Sequence, residues 1–251
     1  MLECNDLSTS YNKKTILEHI SFRLIPGQLT AVIGKNGTGK STLIRCLQKQ
    51  QPYKGTIYLN GVDIQKLLPK ELARHIAFLP QALPCPRVTV GELICFGRNP
   101  YLGISRTLSD VDIAAIKSAV QLTGMDDYQQ RMLSSLSGGE RQRAFLAMIL
   151  AQETEVLILD EPTTFMDMPT EAAFLHLLKE LTVMGKTIAV ILHNLSLAVK
   201  YCDQIIILAD KQCAFSGSTK DCLNQRKIET TFGVRRITAS DALGSEIIFT
   251  A

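Results

Sequence analysis

Residues 34–42 read Gly-Lys-Asn-Gly-Thr-Gly-Lys-Ser-Thr and have the form G-x-x-x-x-G-K-[ST]. An apolar run at 29–33, suited to a buried parallel strand, precedes this stretch, and a predicted helix follows from Leu43. The glycines permit a tight turn whose N–H groups point inward, and the helix start adds its positive dipole end. Lys40 is then expected to reach nucleotide phosphates, and the Ser41 hydroxyl to bind Mg²⁺. The stretch predicts a nucleotide site; the alternative is a plain glycine-rich turn that opens a helix.

Composition limits the classes of protein to which the chain can belong. Its 251 residues suit one large α/β domain or a domain with an insertion, and 46% hydrophobic residues are ample for a core. The net charge is only +3 and the basic residues are scattered, so we expect no nucleic-acid partner. The seven cysteines are odd in number and show no CxxC spacing. They are predicted to be reduced core thiols of a cytoplasmic protein.

Membrane spans are not expected from the sequence. The first six residues include Glu3 and Asp6, where a signal peptide would be basic and then apolar. The longest uninterrupted apolar run, 144–151, is far shorter than the ~20 residues that span a bilayer. We therefore expect that the chain cannot cross a membrane by itself.

Periodicity divides the chain into β-rich and helical parts. Residues 1–28 alternate as β structure with turns at 11–13 and 26–27, and 55–64 predicts a hairpin about Asn60-Gly61. From about 82 to 152 the pattern becomes helical, which indicates an insertion in the α/β domain. Further predicted elements are strands at 76–79, 156–159, 186–192 and 205–209, helices at 69–74 and 218–227, and a closing hairpin of 234–237 with 247–249.

A second glycine-containing stretch, Leu-Ser-Gly-Gly-Glu at 136–140, opens an apolar helix. Ser137 and Glu140 fit a capping box, so an ordinary helix start is one interpretation. Two glycines in the first turn, Gly138 and Gly139, cost about 1 kcal/mol each relative to alanine. Close approach of an anion to exposed N–H groups would explain them, and the stretch indicates a second phosphate-binding element.

Chemically active side chains follow two of the predicted strands. The apolar run 156–159 ends in Asp160 and Glu161, of which the first can hold a Mg²⁺ shell and the second can orient or deprotonate a water. The alternative is an acidic turn before Pro162. His193 ends the strand at 186–192, where it could meet a γ-phosphate. On local sequence alone, Tyr11 is a turn tyrosine and Gln81 a loop residue.

Together these motifs resemble the ATP-binding cassette (ABC) ATPase family, colinearly from Tyr11 to about Asp210. The resemblance implies an α/β P-loop NTPase cassette in one domain, 1–251. Its core would be a mostly parallel sheet joined by an antiparallel β subdomain, about 1–81 and 153–251, with a helical subdomain at about 82–152. The nucleotide-binding residues that it implies are Tyr11, stacked on adenine, with Gly34, Lys35, Asn36, Gly37, Thr38, Gly39, Lys40, Ser41 and Thr42.

The family mechanism assigns the remaining roles. Glu161, His193 and Lys40 would be catalytic, and the Mg²⁺ ligands would be Ser41, Gln81 and Asp160. Two cassettes would pair head to tail, each ATP lying between one P-loop and the partner's signature residues. Those signature residues are Ser137, Gly138, Gly139 and Glu140. Asp167, in the D-loop, would link the two sites.

The partners that the resemblance implies are a second copy of the chain, permease subunits on separate chains, and indirectly a periplasmic or surface substrate-binding protein. The chain is then expected in the cytoplasm, peripheral on the inner face of the membrane.

Finer features resemble the importers of iron–siderophore, haem and cobalamin. The stretches at 88–93 and 96–101 are similar to their TVxEL and GRxPY patterns. Asn194 departs from the usual Asp after the switch histidine, and Met166 replaces the common Leu before Asp167. The alternatives are a soluble non-transport ABC ATPase, an importer ATPase for another substrate, or a nucleotide-binding module without hydrolysis. The first usually has long coiled-coil insertions or two cassettes, and this chain has neither. Intact Lys40, Glu161 and His193 count against the last.

Overall fold

The computed structural model describes residues 1–12, 14–103, 107–164, 166–241 and 244–250. It divides into two compact units, one formed by 1–66 with 178–251 and the other by 67–177. Lys13, in the predicted turn at 11–13, lies outside the described residues.

The secondary structure alternates between strands and helices along most of the chain. The first unit begins with β1 (Leu2–Tyr11), β2 (Lys14–Leu24), β3 (Leu29–Ile33), α1 (Lys40–Leu47), β4 (Lys54–Leu59) and β5 (Val62–Asp63). The second unit has α2 (Pro69–Leu72), β6 (Ile76–Leu79), α3 (Val90–Cys95), α4 (Asp110–Thr123), α5 (Gly138–Ala151), β7 (Val156–Leu159) and the start of α6 (Met168–Val183). The first unit resumes with β8 (Thr187–Ile191), α7 (Leu195–Tyr201), β9 (Gln204–Ala209), β10 (Gln212–Ser218), α8 (Thr219–Asn224), α9 (Lys227–Phe232), β11 (Arg235–Asp241) and β12 (Gly244–Thr250).

The first unit contains both antiparallel and parallel β structure. An antiparallel sheet has the order β2-β1-β4-β5, and β11 pairs with β12 as a separate hairpin. In a third arrangement, β3 lies between β8 and β9 and is parallel to both, while β10 is antiparallel to β9. Every residue of β3 and of β8 is buried, as expected for parallel strands covered on both faces. The loop that carries Gly34 to Gly39 leaves the carboxyl end of β3.

The second unit pairs β6 with β7 in parallel, with Leu79 opposite Leu159. The Asp160 amide donates to the Leu79 carbonyl at 2.8 Å, so the two strands end level with one another. Residues after either strand therefore leave from the same edge, and this arrangement positions Gln81 and Glu161.

A buried arginine ties the helices of the second unit together. The Arg98 side chain is 3% exposed, and its Nε lies 2.7 Å from Asp112 Oδ1 at the start of α4. Its Nη1 donates to the Ala151 carbonyl and to Glu153 Oε2, both at 2.8 Å, near the end of α5. The guanidinium also lies over the Tyr101 ring, 4.1 Å from its centroid. The G-R-N-P-Y stretch at 97–101 thus has a packing role.

The α/β fold class is confirmed, with parallel strand pairs, an antiparallel β sheet and helices. The predicted strands and the hairpin about Asn60-Gly61 are present. The continuous helix predicted at 218–227 is wrong, because the chain breaks between α8 and α9 at Arg226, whose φ is +51°. The assignment of about 82–152 as a helical subdomain stays a prediction. No helix in the described part of the chain is long and apolar enough to cross a membrane.

The prediction of core thiols is confirmed for four of the seven cysteines and wrong for one, while Cys95 and Cys213 are half-buried. All seven cysteines lie in the described residues and are free, and Cys4, Cys46, Cys202 and Cys222 are buried. Burial raises the pKa of the Cys4 thiol to about 12 and that of Cys46 to about 11. Cys85 is exposed, because it lies in the irregular segment between β6 and α3.

Candidate functional site

The loop between β3 and α1 forms a glycine-dependent cradle. Gly37 and Gly39 have φ of +81° and +98°, a conformation that L side chains rarely adopt. A Cβ on Gly34 would lie 2.6 Å from the Leu208 carbonyl oxygen, and one on Gly39 would lie 2.6 Å from Leu17 Cδ2. A residue with a side chain would therefore clash at Gly34 and Gly39, which explains why glycine occupies both positions. The loop's exposed backbone leads directly into the N-terminus of α1, where dipole and N–H groups favour an anion.

Lys40 is held inside this cradle. The residue is 6% exposed, and its ammonium donates to the Gly34 carbonyl at 2.7 Å and to the Lys35 carbonyl at 3.1 Å. Thr38 Oγ1 donates to the Lys35 carbonyl at 2.9 Å, while Lys35, Asn36, Gly37 and Ser41 are exposed. An ammonium group centred on the loop supplies the positive charge that a polyphosphate requires.

The first unit also contains the predicted adenine and γ-phosphate residues. Tyr11 is 61% exposed at the end of β1, where its ring is open to solvent. His193 follows β8 and is exposed. Asn194 caps α7, since its Oδ1 accepts from the Leu197 amide at 3.2 Å. Asn194 can therefore fill the capping role of an Asp without adding a charge beside His193.

The carboxylates after β7 lie as predicted at the carboxyl end of the strand. Glu161 has a φ of +48°, a left-handed conformation that is strained for a non-glycine residue. Its Oε2 accepts a hydrogen bond of 2.5 Å from Gln81 Nε2. The structure thus joins Gln81 and Glu161 directly, a contact that the sequence did not predict. The signal available in the sequence was that both residues lie two positions after paired parallel strands.

Hydrogen bonds hold the segment after Glu161 in place. Thr164 Oγ1 donates to the Glu161 carbonyl at 3.0 Å, and Thr163 Oγ1 donates to Glu171 Oε1 at 2.7 Å. Asp167 Oδ1 accepts from the Thr170 amide at 3.0 Å at the start of α6. Hydrogen bonds from the Thr170 side chain and backbone lower the pKa of the Asp167 carboxyl. The carboxylate therefore already accepts a capping hydrogen bond at the start of α6.

The glycine stretch before α5 forms the capping box that its sequence predicted. Ser137 Oγ accepts from the Glu140 amide at 3.3 Å, and Glu140 Oε2 accepts from the Ser137 amide at 2.8 Å. This backbone hydrogen bond is the main reason why the pKa of Glu140 is lowered. A Cβ on Gly139 would lie 2.9 Å from Thr170 Cγ2. The cap accounts for Ser137 and Glu140, whereas a phosphate-binding role for the glycines stays a prediction.

A cavity of about 440 Å³ lies within the second unit. Its lining includes Gln81, Gly138, Arg141, Gln142, Glu161 and Thr164. The start of α5 and the segment after β7 therefore face one space. Among the described residues, no group of three or more His, Cys, Asp or Glu side chains could hold a metal ion.

The chain is similar in sequence to ATP-binding proteins of transport systems. Residues 17–164 match the ABC transporter family profile. The chain is 38% identical to the achromobactin transport ATP-binding protein CbrD of Dickeya dadantii (strain 3937), over 91% of this chain and 86% of that protein. It is 37% identical to the ferric enterobactin transport ATP-binding protein FepC of Escherichia coli (strain K12), over 96% and 90%. A solved ATP-binding subunit of an ABC transporter superposes with a TM-score of 0.78 at 25% identity, over 91% and 94%.

Proposed function

Because this chain belongs to the ABC transporter family, we propose that it is the ATP-hydrolysing subunit of a membrane importer. The observation that carries the proposal is the cradle at 34–40, in which Lys40 Nζ lies 2.7 Å from the Gly34 carbonyl oxygen at the start of α1. Glycines with positive φ, a centred ammonium and a helix N-terminus together match the chemistry of a bound polyphosphate.

Nucleotide binding draws on the loop and on Tyr11. Backbone N–H groups of 35–39 surround the β-phosphate, while Ser41 and Thr42 contribute hydroxyl groups from the first turn of α1. The Lys40 ammonium exchanges its loop carbonyl partners for phosphate oxygens, a stronger charge-assisted hydrogen bond. The exposed ring of Tyr11 stacks on adenine.

The proposed Mg²⁺ ligands fit the metal chemically. Ser41 offers a hydroxyl, Gln81 an amide oxygen and Asp160 a carboxylate, and oxygen donors are what Mg²⁺ prefers. The bound ion would supply charge neutralisation for the phosphates. The Gln81 atom that would bind the ion is its amide Oε1, whereas its Nε2 donates to Glu161 Oε2.

In the proposed hydrolysis, Glu161 and His193 have different roles. Glu161 orients a water and accepts its proton, as a carboxylate at the end of a buried strand can. His193 donates a hydrogen bond to the γ-phosphate.

We further propose that two copies of the chain pair head to tail. Ser137, Gly138, Gly139 and Glu140 of one copy then complete the ATP site of the other. Asp167 links the two sites. Separate permease chains hold the pair on the inner face of the membrane, and a periplasmic or surface substrate-binding protein delivers the cargo to them.

The cargo that we propose is an iron–siderophore complex, with haem or cobalamin as related possibilities. The named relatives support this choice, since one of them is a ferric enterobactin transport protein of nearly the same length. The alternatives are an importer ATPase for another substrate and a soluble ABC ATPase outside transport.

The test of the ATPase is Glu161→Gln in the full chain. Loss of a general base or water-orienting group typically lowers turnover by about 10²–10⁴-fold, while nucleotide binding stays intact. The variant is expected to accumulate as an ATP-bound dimer on size exclusion. If it stays monomeric while fluorescence titration shows bound ATP, the composite site is wrong.

A further inference from the structure

Glu161 occupies an unusual backbone position for a residue with a chemical task. Its φ of +48° places it in the left-handed region, and Pro162 follows it. Left-handed geometry is unfavourable for an L-residue, and the residue before a proline is already restricted to extended conformations. Such a conformation persists only when neighbouring groups hold it.

The hydroxyl of Thr164 contacts both the backbone carbonyl and the side-chain carboxylate of Glu161. Thr164 Oγ1 lies 3.0 Å from the Glu161 carbonyl oxygen and 3.4 Å from Oε2 of the same residue. The Thr164 amide adds a longer bond to that carbonyl, at 3.4 Å. One side-chain oxygen therefore reaches both the strained backbone and the carboxylate. Hydroxyl-to-backbone bonds of this kind stabilise tight turns.

The neighbouring threonine does something different. Thr163 is 8% exposed, and its hydroxyl donates to Glu171 Oε1 on α6 at 2.7 Å. Thr164 is exposed and faces the cavity that Glu161 also lines. The two consecutive threonines therefore have different contacts: Thr163 binds α6, and Thr164 contacts Glu161.

We propose that Thr164 is a positioning residue for Glu161, holding its backbone turn and directing its carboxylate during ATP hydrolysis. The inference rests on the proposed function and deepens it. In the structure Gln81 Nε2 and Thr164 Oγ1 reach the same oxygen, Oε2. A water-orienting carboxylate that moves even slightly loses rate without any loss of ATP affinity.

The experiment compares Thr164→Val, which keeps the shape but removes the hydroxyl, with Thr164→Ser, which keeps the hydroxyl. For Thr164→Val we expect kcat to fall about tenfold with KM for ATP within about twofold of the parent. Thr164→Ser should recover kcat to within about threefold of the parent. Because Thr164 is exposed, the loss of its hydroxyl in Thr164→Val should lower Tm only slightly, and Thr164→Ser should not lower it. The matched control, Thr163→Val, removes a buried hydrogen bond and should lower Tm more than either.

Three results would overturn the inference while leaving the ATPase assignment intact. They are parental kcat in Thr164→Val, equal loss of kcat in the Ser and Val variants, and loss of kcat that follows a fall in Tm in both. The assignment itself fails separately, if the parental chain does not hydrolyse ATP or if Glu161→Gln is as active as the parent.

Discussion

Gly97 packs against α5 more closely than any side chain would allow, and Gly97→Ala tests this contact. The residue lies in the 3₁₀ turn Phe96–Arg98, next to Arg98, whose guanidinium is buried. A Cβ at this position would lie 2.1 Å from the Met148 carbonyl oxygen and 3.1 Å from Ala151 Cβ. Ordinary contacts begin near 3.4 Å, so the turn and the helix backbone would have to separate by about 1 Å.

The expected loss of stability in Gly97→Ala depends on which atoms must move to make room for the new Cβ. Overpacking typically costs 1–3 kcal/mol, and a backbone carbonyl within a helix cannot rotate away as a side chain can. We therefore expect about 3 kcal/mol of destabilisation, which corresponds to a fall of about 6–12 °C in Tm for a chain of this size. Thermal unfolding followed by circular dichroism, with urea titration as a second measure, determines the value.

The same loop offers a matched control. A Cβ on Gly103 would meet nothing within 4 Å, so Gly103→Ala should stay within about 0.5 kcal/mol of the parent. If Gly97→Ala is as stable as Gly103→Ala, the close approach of the turn to α5 is wrong.

The remaining predictions concern the proposed site and one acid-sensitive contact. Lys40→Ala removes the ammonium of the cradle and should weaken binding of a fluorescent ATP analogue about tenfold or more; unchanged affinity would mean that the backbone alone binds phosphate. Ser137→Arg should keep ATP binding but lose ATP-dependent pairing. A mixture of Ser137→Arg and Lys40→Ala subunits should hydrolyse ATP faster than either homodimer. If Ser137→Arg alone hydrolyses ATP at the parental rate, the stretch at 136–140 acts only as a helix cap. Hydrogen bonds from Ser109, and then from Arg98, lower the pKa of Asp112 from 3.8 to about 2. A carboxyl whose pKa is lower when folded stabilises the fold above its ordinary pKa and loses that contribution as pH falls. The Tm difference between the parent and Asp112→Asn should therefore shrink from pH 4 to pH 2; a difference independent of pH would contradict the lowered pKa of Asp112.

Local sequence predicted the elements whose determinants are local. The hairpin about Asn60-Gly61 depends on turn chemistry, and the capping box of Ser137 and Glu140 depends on side chains within one turn. Each of these formed as its residues indicate. The cradle at 34–40 was predictable for the same reason, because glycine conformation and the helix start lie in one short segment.

Contacts between distant segments could not be predicted in this way. Gln81 and Glu161 meet only because β6 and β7 are parallel neighbours in one register. Arg98 reaches Asp112 and Glu153 across separate helices, so its sequence motif alone suggests no buried ion pair. The break at Arg226 was missed because nothing in its local sequence announces a left-handed residue.

The distribution of thiols makes the chain convenient to label. All seven cysteines lie within the described residues, and among them Cys85 is exposed while Cys95 and Cys213 are half-buried and the others are buried. Thiolate is the reactive form, and burial raises the pKa of both half-buried thiols. A maleimide dye at limiting concentration and neutral pH should therefore mark Cys85 first. Since Cys85 follows Gln81 by four positions, a fluorophore there would report movement of this segment in the otherwise unaltered protein.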